Sequence, residues 1–143
     1  MDVAFSYSVS DGTVSTPTTG IFTVVGANDA PVLSAPVAGS VVEDGAALTL
    51  DALATATDVD HGAVLSLVNL PATLPAGVSY DAASHGLTFD ASNAAYQGLS
   101  AGQVQKVVIN YGVTDGMATT AASATFTVTG TNDAPLVSGP LAF

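Results

Sequence analysis

The segment Phe126-Thr-Val-Thr-Gly-Thr-Asn-Asp-Ala-Pro135 repeats an earlier one, Phe22-Thr-Val-Val-Gly-Ala-Asn-Asp-Ala-Pro31, at a separation of 104 residues. Laying residues 1–39 over 105–143 without a gap gives 17 identities, among them Tyr7/Tyr111, Asp11/Asp115, Gly12/Gly116 and Pro36/Pro140. A period of that length is the size of a domain and too long for a solenoid unit. The expected organisation is a cut from a tandem array. Residues 1–29 carry the last two strands and the linker of a preceding repeat, 30–133 a complete repeat, and 134–143 the start of a following one.

Within the complete repeat the apolar pattern has a period of two. Leu48, Leu50, Ala52, Ala54 and Ala56 alternate with Thr49, Asp51, Thr55 and Thr57, as do Val107, Ile109, Tyr111 and Val113 with their neighbours. Counting reversals gives seven strands. A Pro-containing edge strand occupies 31–42, followed by strands over 48–56, 64–70, 78–80, 87–89, 107–113 and 124–128. Residues 91–102 hold at most a short helical turn, with Tyr96 and Leu99 on one side and Gly98 limiting its length. The fold class expected is all-β: a seven-stranded antiparallel β-sandwich of Greek-key type. Tyr7, Tyr80, Tyr111, Phe89 and Phe126 fall on inward parities. The two strands before residue 29 form a lone hairpin, expected to be loosely ordered unless it docks.

Charge restricts the partners. Twelve Asp and Glu oppose one basic residue, Lys106, for a formal net charge of −11. Nucleic-acid phosphates and acidic membranes are therefore disfavoured, and cations favoured. There is no Cys, so disulfides and thiolate metal sites are excluded. No apolar run approaches the ~18 residues of a membrane span. The acids lie singly or in pairs in turns. Following the strands up and down brings Asp58, Asp60 and Asp115 to one end with the incoming linker Asn28-Asp29. The same count brings Glu43, Asp44 and Asp90 to the other end with the outgoing linker Asn132-Asp133. Crowded carboxylates repel unless a hard cation lies between them, and Ca²⁺ accepts six to eight oxygens in irregular geometry. Each Asp-Gly taken singly is also ordinary turn chemistry.

The motifs Val41-Val-Glu-Asp-Gly45, Thr57-Asp-Val-Asp60, Tyr111-Gly-Val-Thr-Asp-Gly116 and Gly130-Thr-Asn-Asp-Ala-Pro135 occur in this order. In them the chain resembles the bacterial cadherin-like and VCBS repeats of large RTX-type surface adhesins. The resemblance implies a calcium-binding extender module, extracellular or on the bacterial cell surface, exported by a type I secretion system and used in adhesion or biofilm formation. It implies Ca²⁺ ligands at Asn28, Asp29, Asn132 and Asp133 in the linkers, and at Asp58, Asp60 and Asp115 of the following domain. Glu43, with Asp44 and Asp90, would serve the preceding one.

His61 and His85 sit in turns with no second ligand at zinc spacing, and read as solvated. Lys106 reads as an exposed strand charge that discourages edge pairing. Nothing resembles a nucleophile with its base or a phosphate loop, so no enzyme is expected. The partners expected are neighbouring repeats of the same chain, with a polysaccharide or a like domain as the alternative. An exposed Tyr80 or Tyr96 beside a groove would favour that alternative.

Overall fold

The computed structural model describes residues 1–135 and 137–140, and no helix occurs among them. The two longest strands, β10 (Val104–Thr114) and β11 (Thr119–Thr129), pair antiparallel along their whole length across the Asp115-Gly116 turn. Val107, Ile109, Tyr111 and Val113 of β10 and Ala124, Phe126 and Val128 of β11 are buried, as the two-residue period of a strand requires. β4 (Val37–Val42) flanks β11 and β7 (Ser66–Val68) flanks β10, giving a sheet of order β4-β11-β10-β7. β5 (Leu48–Asp51), β8 (Val78–Asp81) and β9 (Gly86–Phe89) form the facing sheet, in the order β5-β9-β8.

The core lies between these sheets. Phe89 packs on Phe126 with ring centroids 5.1 Å apart, and Tyr96 meets Phe89 edge-on at 5.0 Å. The buried Tyr111 hydroxyl donates to the carbonyl of Ala52 at 2.7 Å, tying β10 to the end of β5. Tyr80 is half-buried and packs against this core.

Two expected strands need correction. The edge strand over 31–42 is two strands: β3 (Val32–Leu33) pairs antiparallel with β6 (Ala56–Thr57), whereas β4 pairs with β11. Pro36 is the cause, since it lacks an N–H and holds the residue before it out of the helical region. Having changed sheets, β4 runs parallel to β11, so one ladder departs from an all-antiparallel sandwich. Alternation reports which face is buried and carries no information on direction. The strand over 48–56 is interrupted because the Asp51 carboxylate accepts the N–H of Leu53 at 2.9 Å. That local bond competes with the ladder. Residues 91–102 contain successive turns, closed by the N–H of Tyr96 to Asn93 O and of Leu99 to Tyr96 O. They still bury Tyr96 and Leu99 as their spacing suggests.

The N-terminal segment forms a hairpin of β1 (Asp2–Ser10) and β2 (Ser15–Thr23), with nine residue pairs from Asp2↔Thr23 to Ser10↔Ser15. Its ladder is regular, yet its side chains are exposed on both faces. Tyr7, expected in the core, is 47 % exposed. Its parity is inward, but among the described residues no second sheet lies over it. The expected tail over 134–143 falls partly outside the described residues, and 137–140 are exposed.

Candidate metal centres at the two ends of the sandwich

At one end a chain of hydrogen bonds joins the residues selected from the sequence. The Asp115 carboxylate caps its own turn, accepting the N–H groups of Met117 and Ala118 at 2.7 Å each. Its other oxygen accepts from the Asn28 side chain at 2.9 Å. The N–H of Asp29 donates to Asp60 at 2.8 Å, and the N–H of Asp60 to Asp58 Oδ1 at 2.8 Å. The linker is thus fastened to two loops of the domain it enters. Thr120 adds a further anchor, donating to the carbonyl of Pro31 at 2.6 Å. Asp115 is held below the usual carboxylate range by the N–H of Ala118 first, then that of Met117 and the Asn28 amide. A cleft of about 440 Å³ lies here, lined by Gly26, Asn28, Asp60, His61 and Asp115 among others.

At the opposite end Glu43 is the central group. Val42, Glu43, Asp44 and Gly45 form a turn closed by the N–H of Gly45 to Val42 O at 2.9 Å, with Asp44 at φ 62°. Asp is one of the few side chains that tolerates this left-handed geometry. The turn sends Asp44 to solvent and leaves Glu43 only 1 % exposed. Glu43 Oε2 accepts the N–H of Thr131, in the outgoing linker, at 3.0 Å. Asn132 and Asp133 line a shallow cleft of about 290 Å³ with Gln97 and Ser100. Asp90 is exposed and engaged with Ser92, whose hydroxyl and N–H lower its pKa in that order. Among the described residues, no hydrogen bond joins Asp44, Asp90, Asn132 or Asp133 to Glu43.

Two carboxylate oxygens are buried without a hydrogen-bond partner among the described residues, Asp58 Oδ2 and Glu43 Oε1. One lies at each end, beside each linker. A buried acceptor left unmade costs about 1–3 kcal/mol, more when charged. A hard cation is one group that would satisfy such an oxygen, and the donor sets are wholly oxygen, the type Ca²⁺ prefers. No group of three or more His, Asp or Glu close enough to hold a metal forms among the described residues. The Asp29 N–H occupies Asp60 instead, and the Asn28 amide with the N–H groups of Met117 and Ala118 occupies Asp115. The donor types fit calcium; a closed cage is not preformed.

Gly130, which opens the last of the four motifs, also has a steric role that its motif does not state. A Cβ there would overlap Ser100 O and the Leu99 side chain, so a glycine is needed for the outgoing linker to pass the 97–101 loop. Gly26 at the equivalent place of the repeat was the available signal.

A family model described as Bacterial Ig domain matches residues 28–129. The chain belongs to the bacterial Ig domain family. Among curated proteins none matches this sequence. Among solved structures, this bacterial Ig domain is similar to mouse clustered PcdhgC3 EC1-3 at 19 % identity and a TM-score of 0.54, over 92 % of this chain and 43 % of that one. Human protocadherin-24 EC1-2 matches at 16 % and 0.46, over 93 % and 67 %. The endo-fucoidan hydrolase MfFcnA4 from glycoside hydrolase family 107 matches at 17 % and 0.49, over 91 % of this chain but only 19 % of that enzyme. The mouse likeness concerns the fold alone: a bacterial Ig domain with a cadherin-like sandwich. No helix among the described residues is long and apolar enough to cross a membrane.

Proposed function

We propose that this domain is a calcium-binding structural extender of a bacterial extracellular adhesin. In this reading the junctions between successive repeats are stiffened by Ca²⁺, and export is by a type I system. The observation that carries the proposal is the pair of unpartnered buried oxygens, Asp58 Oδ2 and Glu43 Oε1, one beside each linker. Asn28, Asp29, Asp58, Asp60 and Asp115 would hold the ion at the incoming junction. Glu43, Asn132 and Asp133, with Asp44 and Asp90, would do so at the outgoing one. The ion would supply positive charge that lets these oxygens approach one another, and its binding free energy would become folding and stiffening free energy. The role is structural and non-catalytic.

A second reading, recognition of a polysaccharide by the sandwich, gains no support from the tyrosines. Tyr96 is buried with its hydroxyl on Ala76 O, and Tyr80 packs against the core. A groove of about 440 Å³ is lined by Leu33, Pro36, Asn110 and small side chains, without an aromatic platform.

Thermal unfolding in excess EGTA and then across a Ca²⁺ series, with Mg²⁺ as the control, tests the calcium reading. The expected result is a midpoint that rises with Ca²⁺ well beyond its response to Mg²⁺. Asp58→Ala with Asp60→Ala should remove the part of the rise that comes from the incoming junction. A midpoint indifferent to Ca²⁺ would leave the acids as turn chemistry alone.

A further inference from the structure

The hairpin β1–β2 exposes a face that the rest of the molecule identifies. Its register is that of β10–β11 shifted by 104 residues: Val3↔Phe22 matches Val107↔Phe126, and Tyr7↔Thr18 matches Tyr111↔Ala122. Val107, Tyr111 and Phe126 are 5 %, 4 % and 0 % exposed, whereas Val3, Tyr7 and Phe22 are 42 %, 47 % and 64 % exposed. The face is uncharged. Asp2 points the other way, accepting from Thr23 on the Ser- and Thr-rich side.

Volume is compensated across the pair in the middle of this face. Ile109↔Ala124 in the sandwich becomes Phe5↔Gly20 in the hairpin, and the Phe5 ring lies over Gly20, where a Cβ would overlap it. Phe5 also stacks on Tyr7 at 5.6 Å and on Phe22 at 5.3 Å. A larger residue matched to a smaller one is how facing core layers are kept at constant thickness. The edges agree as well. In the sandwich β4 pairs with residues 124–129 of β11, and β7 with 112–114 of β10. The equivalent stretches, 20–25 and 8–10, are free of Pro. Pro17, which cannot donate to a ladder, falls at the equivalent of Ala121, beyond the reach of β4.

We propose that the Val3, Phe5, Tyr7 and Phe22 face is the docking surface for a second copy of the segment that forms β3–β9. In that second sandwich β1 and β2 serve as β10 and β11 serve here. The place for such a hairpin within residues 31–129 is already filled, so the segment that covers this face comes from another copy. The inference is independent of calcium.

The test extends the full chain at its N-terminus with a second copy of residues 31–106, joined directly to Val3 so that the 104-residue spacing is kept. Hydrogen exchange of the β1 and β2 amides should slow by about 100-fold or more relative to the unextended chain, as they join a cooperative unit. Phe22→Asp in the extended chain should abolish that protection and leave β10 and β11 protected. Amides of β1 and β2 that exchange equally fast in both chains would overturn the proposal. Sedimentation equilibrium of the unextended chain addresses the competing occupant. A monomer supports the proposal, and a dimer that dissociates on Phe22→Asp would show two hairpin faces covering each other, which overturns it.

Discussion

The two hairpins of this molecule are alike in everything local and unlike in everything tertiary. Both are long antiparallel pairs in the same register across an Asp-Gly turn, and in both the turn aspartate accepts two N–H groups. Asp11 takes those of Thr13 and Val14 at 2.8 Å, and Asp115 takes those of Met117 and Ala118 at 2.7 Å. Yet one carries a buried apolar face and the other an exposed one. The turn and the ladder are therefore properties of the segment, and burial is a property of what faces it. The same pair of turns separates turn chemistry from junction chemistry. Each aspartate shapes its hairpin, but only Asp115 also receives Asn28 from a linker.

The sharpest way to break the comparison is to remove the matched phenylalanines. Phe126→Ala, at a fully buried site, should destabilise the sandwich by about 3–5 kcal/mol in urea unfolding. Phe22→Ala should change the same transition by less than ~0.5 kcal/mol, as at an ordinary surface site. Equal losses would mean that the hairpin contributes to the sandwich core after all. A smaller contrast comes from the tyrosines. Tyr111→Phe deletes the donor to Ala52 O and should cost about 1–3 kcal/mol. Tyr7→Phe should be silent, because no hydrogen bond involves its hydroxyl among the described residues.

The finest contrast is in acid. Asp11 is lowered chiefly by the N–H of Val14 and then that of Thr13, and Asp115 by that of Ala118, then Met117, then the Asn28 amide. A carboxyl lowered in the folded state contributes stability that is complete above its unfolded value, about 3.9, and is lost as pH falls through its folded value. Both turns should therefore weaken only in that acidic window. Asn28→Ala should raise the Asp115 value and leave that of Asp11 unmoved in a carbon-detected carboxyl NMR titration. Movement of both, or of neither, would show that the linker does not distinguish the two turns.

Much of the sandwich was readable because half-buried strands announce themselves by alternation. Val107, Ile109, Tyr111, Phe89 and Phe126 are all core residues, as their parity indicated. Direction and sheet membership were less accessible. Nothing in the alternation of residues 31–42 shows that the chain leaves its pairing with β6 before Pro36 and then runs parallel to β11. At the ends, the strand count brought Asp58, Asp60, Asp115 and the linker together, and a hydrogen-bonded chain joins them. The same count groups Asp44 and Asp90 with Glu43, and among the described residues no hydrogen bond joins either of them to it. Asp44 is turned to solvent by its positive φ, and Asp90 is taken up by Ser92.

What is local and periodic is written in the residues: the 104-residue repeat, the two-residue alternation, the Asp-Gly turns and the face each strand offers for burial. These follow from steric limits and hydrogen bonds between near neighbours, so two copies of one segment fold alike wherever they stand. Packing settles which of those faces is covered, where the 31–42 segment changes partners, and that Glu43 and Asp58 each keep one buried oxygen without a donor among the described residues. Such outcomes depend on groups far apart in sequence competing for the same space and the same hydrogen-bond partners, and no segment encodes that competition alone.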